Sequence, residues 1–140
     1  MKILATGVFD IIHIGHLHFL QKAKSLGDEL IVLVSCDKVC EEEKRIPINS
    51  QEERVELVEA LKPVDKAFIG PNGDKYKTIL DINPDILVLG FDQKFDIVKL
   101  EKALKNKGFK GKIIRLPCFA EQSTTMILEK IKNQVFQQGQ

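Results

Sequence analysis

Apolar residues fall in short runs separated by longer stretches of helical period. Five runs stand out: Lys2–Thr6, Glu29–Ser35, Lys66–Ile69, Ile86–Leu89 and Lys112–Leu116. They are short and apolar, as expected of strands buried on both faces of a parallel sheet. Between them the pattern predicts helices at about 16–26, 50–61, 74–82, 95–107 and 123–136. Ser50 with Glu53 fits a capping box. Asp96 is placed to open the fourth helix, and Gly108 follows it where a C-terminal cap is common. Alternating strands and helices imply an α/β fold, a doubly wound parallel sheet of five strands with right-handed crossovers. Ligands of such sheets lie beyond the carboxyl ends of the strands, at the switch point. Thr6-Gly7, Asp37 and Gly90-Phe91-Asp92 all follow strand ends and face that crevice. The charged run Glu41–Arg45 falls in a predicted long loop at the rim, and the tail Gln137–Gln140 is polar.

A length of 140 residues suits one domain spanning 1–140. With 44% hydrophobic and 29% charged residues the composition is globular, and a net charge of +1 argues against general nucleic-acid binding. The first apolar stretch is too short for a signal-peptide core. No run approaches the ~20 apolar residues of a membrane helix. A cytoplasmic protein without membrane or nucleic-acid partners is expected. Cys36, Cys40 and Cys118 are odd in number and form no C-x-x-C pair, so they carry little metal signal.

Residues 7–16, Gly-Val-Phe-Asp-Ile-Ile-His-Ile-Gly-His, concentrate the candidate chemistry. A glycine directly after a strand lets backbone approach a ligand. Helix-start N–H groups near Gly15 and His16 attract anions. His13 and His16 flank that start and point to one shared phosphate. By spacing alone, a hydrogen-bonded structural pair is the commoner arrangement.

The run Gly7-x-Phe9-Asp10-x-x-His13-x-Gly15-His16 resembles the G-x-F-D-x-x-H-x-G-H signature of the cytidylyltransferase-like nucleotidyltransferases. Three further segments resemble that family in order: Pro47-Ile48-Asn49 with Glu52-Glu53-Arg54, Asn83 to Asp92, and Ser123-Thr124-Thr125 before Met126-Ile127. Four ordered segments are far more specific than one motif. The resemblance implies a three-layer, Rossmann-like domain with helices on both faces. It implies transfer of a nucleoside monophosphate from a nucleoside triphosphate to a small phosphorylated acceptor, with Mg2+ bridging the phosphates and pyrophosphate released. It makes His13 and His16 catalytic. Backbone groups at Val8, Phe9, Ile14 and Gly15 would hold the nucleotide together with Asp92, Ser123, Thr124 and Thr125. Asp37, Lys44, Arg45 and Arg54 would meet substrate or phosphate, with no metal ligand among the side chains. Asp10 reads as structural, its carboxylate accepting backbone N–H groups. Small relatives are commonly homodimers.

The acceptor is less defined. Ala60–Ala67 with Gly90–Asp96 looks most like archaeal FAD synthases, which adenylylate FMN with ATP. The ending Ser123-Thr124-Thr125 looks closer to glycerol-3-phosphate cytidylyltransferase, which uses CTP, or to sugar-phosphate (heptose-phosphate) adenylyltransferases. Many relatives carry a cation just before the Ser/Thr motif. Pro117–Gln122 has none, and Arg115 is the nearest substitute. A catalytically weak nucleotide-binding module therefore stands as the alternative of another class.

Overall fold

The computed structural model describes residues 1–90, 96–117 and 124–138. The elements are β1 (Lys2–Gly7), α1 (Ile14–Ser25), β2 (Glu29–Val34), α2 (Asp37–Glu42), α3 (Gln51–Glu59), β3 (Lys66–Ile69), α4 (Lys75–Ile82), β4 (Ile86–Leu89), α5 (Ile97–Asn106), β5 (Lys112–Arg115) and α6 (Thr124–Gln138). The strands form one parallel sheet in the order β3-β2-β1-β4-β5. All five expected strands are present. The order reverses between β1 and β4, so the switch point opens beyond Gly7 and Leu89.

Alternate residues of the central strands enter two separate cores, which is why their sequences are apolar throughout. Ile3, Ala5, Leu30, Val32, Val34 and Val88 pack on one face with Leu20 and Ala23 of α1 and Val58 of α3. Leu4, Ile31, Leu33, Leu87 and Leu89 pack on the other with Ile79 of α4 and Leu100 and Leu104 of α5. Helices therefore cover both faces of a three-layer α/β sheet. Each fully buried Leu, Ile or Val contributes about 1.5–3 kcal/mol relative to exposure. Among the described residues no helix is long and apolar enough to cross a membrane.

Two differences from expectation bear on the site. The stretch after β2 is not simply a long loop, because Asp37–Glu42 forms α2. Its one buried side chain is Cys40, so it lacks the recurring apolar positions that mark a longer helix. Helix α1 starts at Ile14 rather than near His16, because His13 itself is the N-cap.

Candidate active site

The β1–α1 turn is held from several directions. Phe9 has φ +51°, rare for a bulky residue, and such strain persists only where the surroundings enforce it. The residues on either side do so. The Val8 carbonyl accepts from Arg54 Nη1 at 2.8 Å. The Asp10 carboxylate accepts from the N–H groups of Ile48 (2.8 Å) and Asn49 (2.9 Å), and Asn49 Nδ2 donates to the Asp10 carbonyl at 2.9 Å. Asp10 thus has the structural part expected of it, with partners in the loop before α3 rather than in its own turn.

His13 and His16 form a capping box with imidazoles in place of the usual Ser/Thr and Glu/Gln. His13 Nδ1 accepts from Gly15 N–H at 3.0 Å, and His13 N–H donates to His16 Nδ1 at 3.3 Å. The ring centroids lie 3.9 Å apart. Because Nδ1 accepts in both rings, each neutral imidazole carries its proton on Nε2. The box therefore sets two N–H donors at a helix start whose dipole also favours an anion. His16 has its pKa lowered to about 4, first by burial and then by His13, while Asp10 and a hydrogen bond to the Ile11 backbone oppose. It is uncharged at neutral pH.

Arg54 is completely buried. Its Nε donates to the Asn49 carbonyl at 3.1 Å, Nη1 to the carbonyls of Val8 and Ser35 at 2.8 Å each, and Nη2 to Asp37 Oδ1 at 2.7 Å. The anion it meets is the Asp37 carboxylate. Arg54, expected to meet substrate or phosphate, is held here in an internal ion pair with Asp37. Asp37 is likewise engaged: its Oδ2 accepts from Gln51 N–H, while its own N–H donates to Gln51 Oε1. Asp37 holds the starts of α2 and α3 together, although its side chain stays 37% exposed.

Lys44 and Arg45 are exposed just past α2. Lys44 N–H donates to the Glu41 carbonyl and Arg45 N–H to the Cys40 carbonyl, closing a Schellman motif in which Lys44 takes φ +60°. Thr124 and Thr125 open α6, whereas Asp92 and Ser123 lie outside the described residues. One cation was not singled out in the sequence. Lys75, in the first turn of α4, has its pKa lowered by burial while Glu43 opposes. Nothing in its local sequence marks it. Among the described residues no three His, Cys, Asp or Glu side chains are grouped to hold a metal. The donors of the turn suit phosphate oxygens, and Mg2+ would enter on the triphosphate with its own waters.

Comparison with known proteins bears on this arrangement. The cytidylyltransferase-like pattern matches residues 4–130. The chain belongs to the cytidylyltransferase-like family. It is a nucleotidyltransferase, and two relatives illustrate the likeness. The FAD synthase of Aciduliprofundum boonei is 45% identical over 138 residues, covering 96% of this chain and 93% of its own. That of Thermococcus sibiricus is 47% identical over 137 residues, covering 94% and 92%. A crystal structure from Thermoplasma volcanium, described as a lipopolysaccharide core biosynthesis protein, superposes with a TM-score of 0.83 at 42% identity. It covers 86% of this chain and 98% of that one.

Proposed function

We propose that this nucleotidyltransferase is an FAD synthase that moves the adenylyl group of ATP onto FMN in the cytoplasm. The observation that carries this reading is the near-full-length likeness to FAD synthases at above 40% identity. In the reaction a phosphate oxygen of FMN attacks the α-phosphorus of ATP. A new P–O bond forms as the α–β bridging bond breaks, and pyrophosphate leaves. Such a transfer needs alignment and charge neutralisation more than covalent help. The Nε2–H donors of His13 and His16 and the backbone N–H groups of the β1–α1 turn and the α1 start would hold phosphate oxygens as negative charge builds. Lys44 and Arg45 would bring the acceptor phosphate to the rim, and Thr124 and Thr125 would meet the triphosphate. Arg54 and Asp37 act through position. Mg2+ carried in on the triphosphate would supply further charge neutralisation at the leaving group.

The test crosses ATP and CTP against FMN, glycerol 3-phosphate and sugar phosphates, with Mg2+ and a pyrophosphate readout. The expected result is release with ATP and FMN alone, with FAD identified by chromatography. CTP consumed with glycerol 3-phosphate and no FAD formed would overturn the acceptor. A second reading, sugar-phosphate nucleotidyl transfer, is favoured by the description of the Thermoplasma volcanium structure. Release with ATP and a sugar phosphate would establish it. Nucleotide binding with no release in any pairing would instead support the binding module.

A further inference from the structure

We propose that the Phe9 side chain is a positioning residue for His16, a wall that keeps the imidazole dry and fixed, and that Gly7 is glycine to leave room for that wall. The argument starts in the backbone. With Val8 and Asp10 tied to α3 and to the loop before it, the left-handed conformation of Phe9 turns its side chain inward, where it is only 3% exposed. The ring lies 5.3 Å from the His16 ring, centroid to centroid, at 54°, and 6.5 Å from the Phe19 ring. Phe9 and Phe19 thus form an apolar layer that continues from the core up to His16. On its other edge the Phe9 ring occupies the space above Gly7. A Cβ at Gly7 would sit 2.7 Å from Phe9 Cε2 and 2.9 Å from Cζ. Any larger residue there must displace the ring.

Aromatic area so close to an imidazole removes water that would otherwise stabilise its charged form. This agrees with burial being the first cause of the lowered His16 pKa. The groups that face His16 are few. His13 disfavours its charge, while Asp10 and the Ile11 backbone favour it. His13 and Asp10 act in opposite directions and burial comes first among the causes, which makes the apolar wall the component that a single substitution can remove. A neutral His16 keeps its Nδ1 as the acceptor of the cap and its Nε2 as a donor. A protonated His16 loses that acceptor and breaks the box. Phe9 thereby couples a core contact to the hydrogen-bonding state of the turn.

The role of His16 in this inference rests on the proposed reaction, so the deciding readout is independent of turnover. Imidazole resonances of His16 would be followed by NMR from pH 3.5 to 8 in the wild-type chain, Phe9→Ala, Phe9→Leu and Gly7→Ala. The expected result is a His16 pKa near 4 in the wild type and in Phe9→Leu, which keeps an apolar side chain. It should rise by at least one unit in Phe9→Ala. Gly7→Ala, which moves the ring without deleting it, should give a smaller rise and serves should Phe9→Ala fail to fold. A pKa unchanged in the folded Phe9→Ala or Gly7→Ala chain would overturn the proposal. Given activity, the acid limb of kcat should move upward with the His16 pKa while KM for nucleotide changes less. A shifted pKa in a chain that transfers no nucleotide would leave the wall intact and sink the reaction instead.

Discussion

Arg54 shows how a charge enters the centre of this molecule. Four of the five N–H donors of one guanidinium meet three carbonyls and a carboxylate, so the buried cation is closely surrounded by acceptors. Removing one partner of a buried pair costs about 3–5 kcal/mol, less where the other partner reaches water. With Asp37 part-exposed, Arg54→Ala should lose about 3 kcal/mol in urea denaturation. Arg54→Lys should recover only part, since an ammonium cannot reproduce the fork. His16 supplies a pH dependence of definite sign. Its folded pKa is about 4 against an ordinary value of 6.5, so between those values the unfolded chain binds more protons. Stability from this group is complete above pH 6.5 and declines as pH falls toward 4, by up to about 3 kcal/mol. Denaturation midpoints at pH 7 and pH 5 should differ in that direction. The difference should shrink in His16→Gln.

At the scale of elements, two helix ends make an informative pair. After α5, Gly108 takes φ +94°, with Gly108 N–H donating to the Lys105 carbonyl and Phe109 N–H to that of Leu104. After α2 the same Schellman hydrogen bonds close around Lys44, at φ +60°. Glycine meets that conformation at no steric cost, whereas Lys does not. Lys44→Gly should therefore stabilise the fold, by about 0.5–1 kcal/mol after glycine's extra chain entropy. The same substitution should raise KM for the acceptor if the ammonium meets its phosphate. Thermal unfolding and steady-state kinetics on one variant would thus move in opposite directions. Gly108 was legible as a cap because glycine announces the geometry. Lys44 was not, because Schellman closure depends on hydrogen bonds between backbone groups that the side chain does not encode. Helix α2 was hidden for a similar reason: Cys36, its N-cap, makes no side-chain cap bond, so neither end carries a recognisable signal.

For the whole molecule, the sheet and its switch point were legible because their signals are local: apolar runs, turn residues and order along the chain. The candidate site was legible in part. Its histidines and glycines lie within ten residues and match a known pattern. The partners of Asp10 and Arg54 lie up to 46 residues away in sequence. Single-chain periodicity has no means of pairing them. The resemblance of the segment around Arg54 implies a substrate or phosphate contact, and only the tertiary fold supplies Asp37 as its counterion. A nucleotide that binds the folded chain alone should add about 2.7 kcal/mol at a hundred times its Kd, a rise of roughly 8–10 °C in Tm for a domain of this size. His16→Ala should retain most of that rise while losing turnover. Loss of both together would mean that the imidazole serves affinity.

The guanidinium of Arg54 also determines how the molecule opens. Its hydrogen bonds join the end of β1, the end of β2, the segment before α3 and the first turn of α2, adding to the Asp10 and Asp37 contacts that also link them. A fluctuation that frees the turn at Val8 strips a partner from a buried cation, so the four stretches are expected to open together. Amide protons around Val8, Ser35 and Asn49 should therefore exchange with deuterium at one common rate, close to that of the central strands, and those of Lys44 and Arg45 far sooner. If this cradle holds the nucleotide as proposed, product should leave without the cradle loosening. Departure would be left to the outer rim, where the chain can yield without unfolding the sheet.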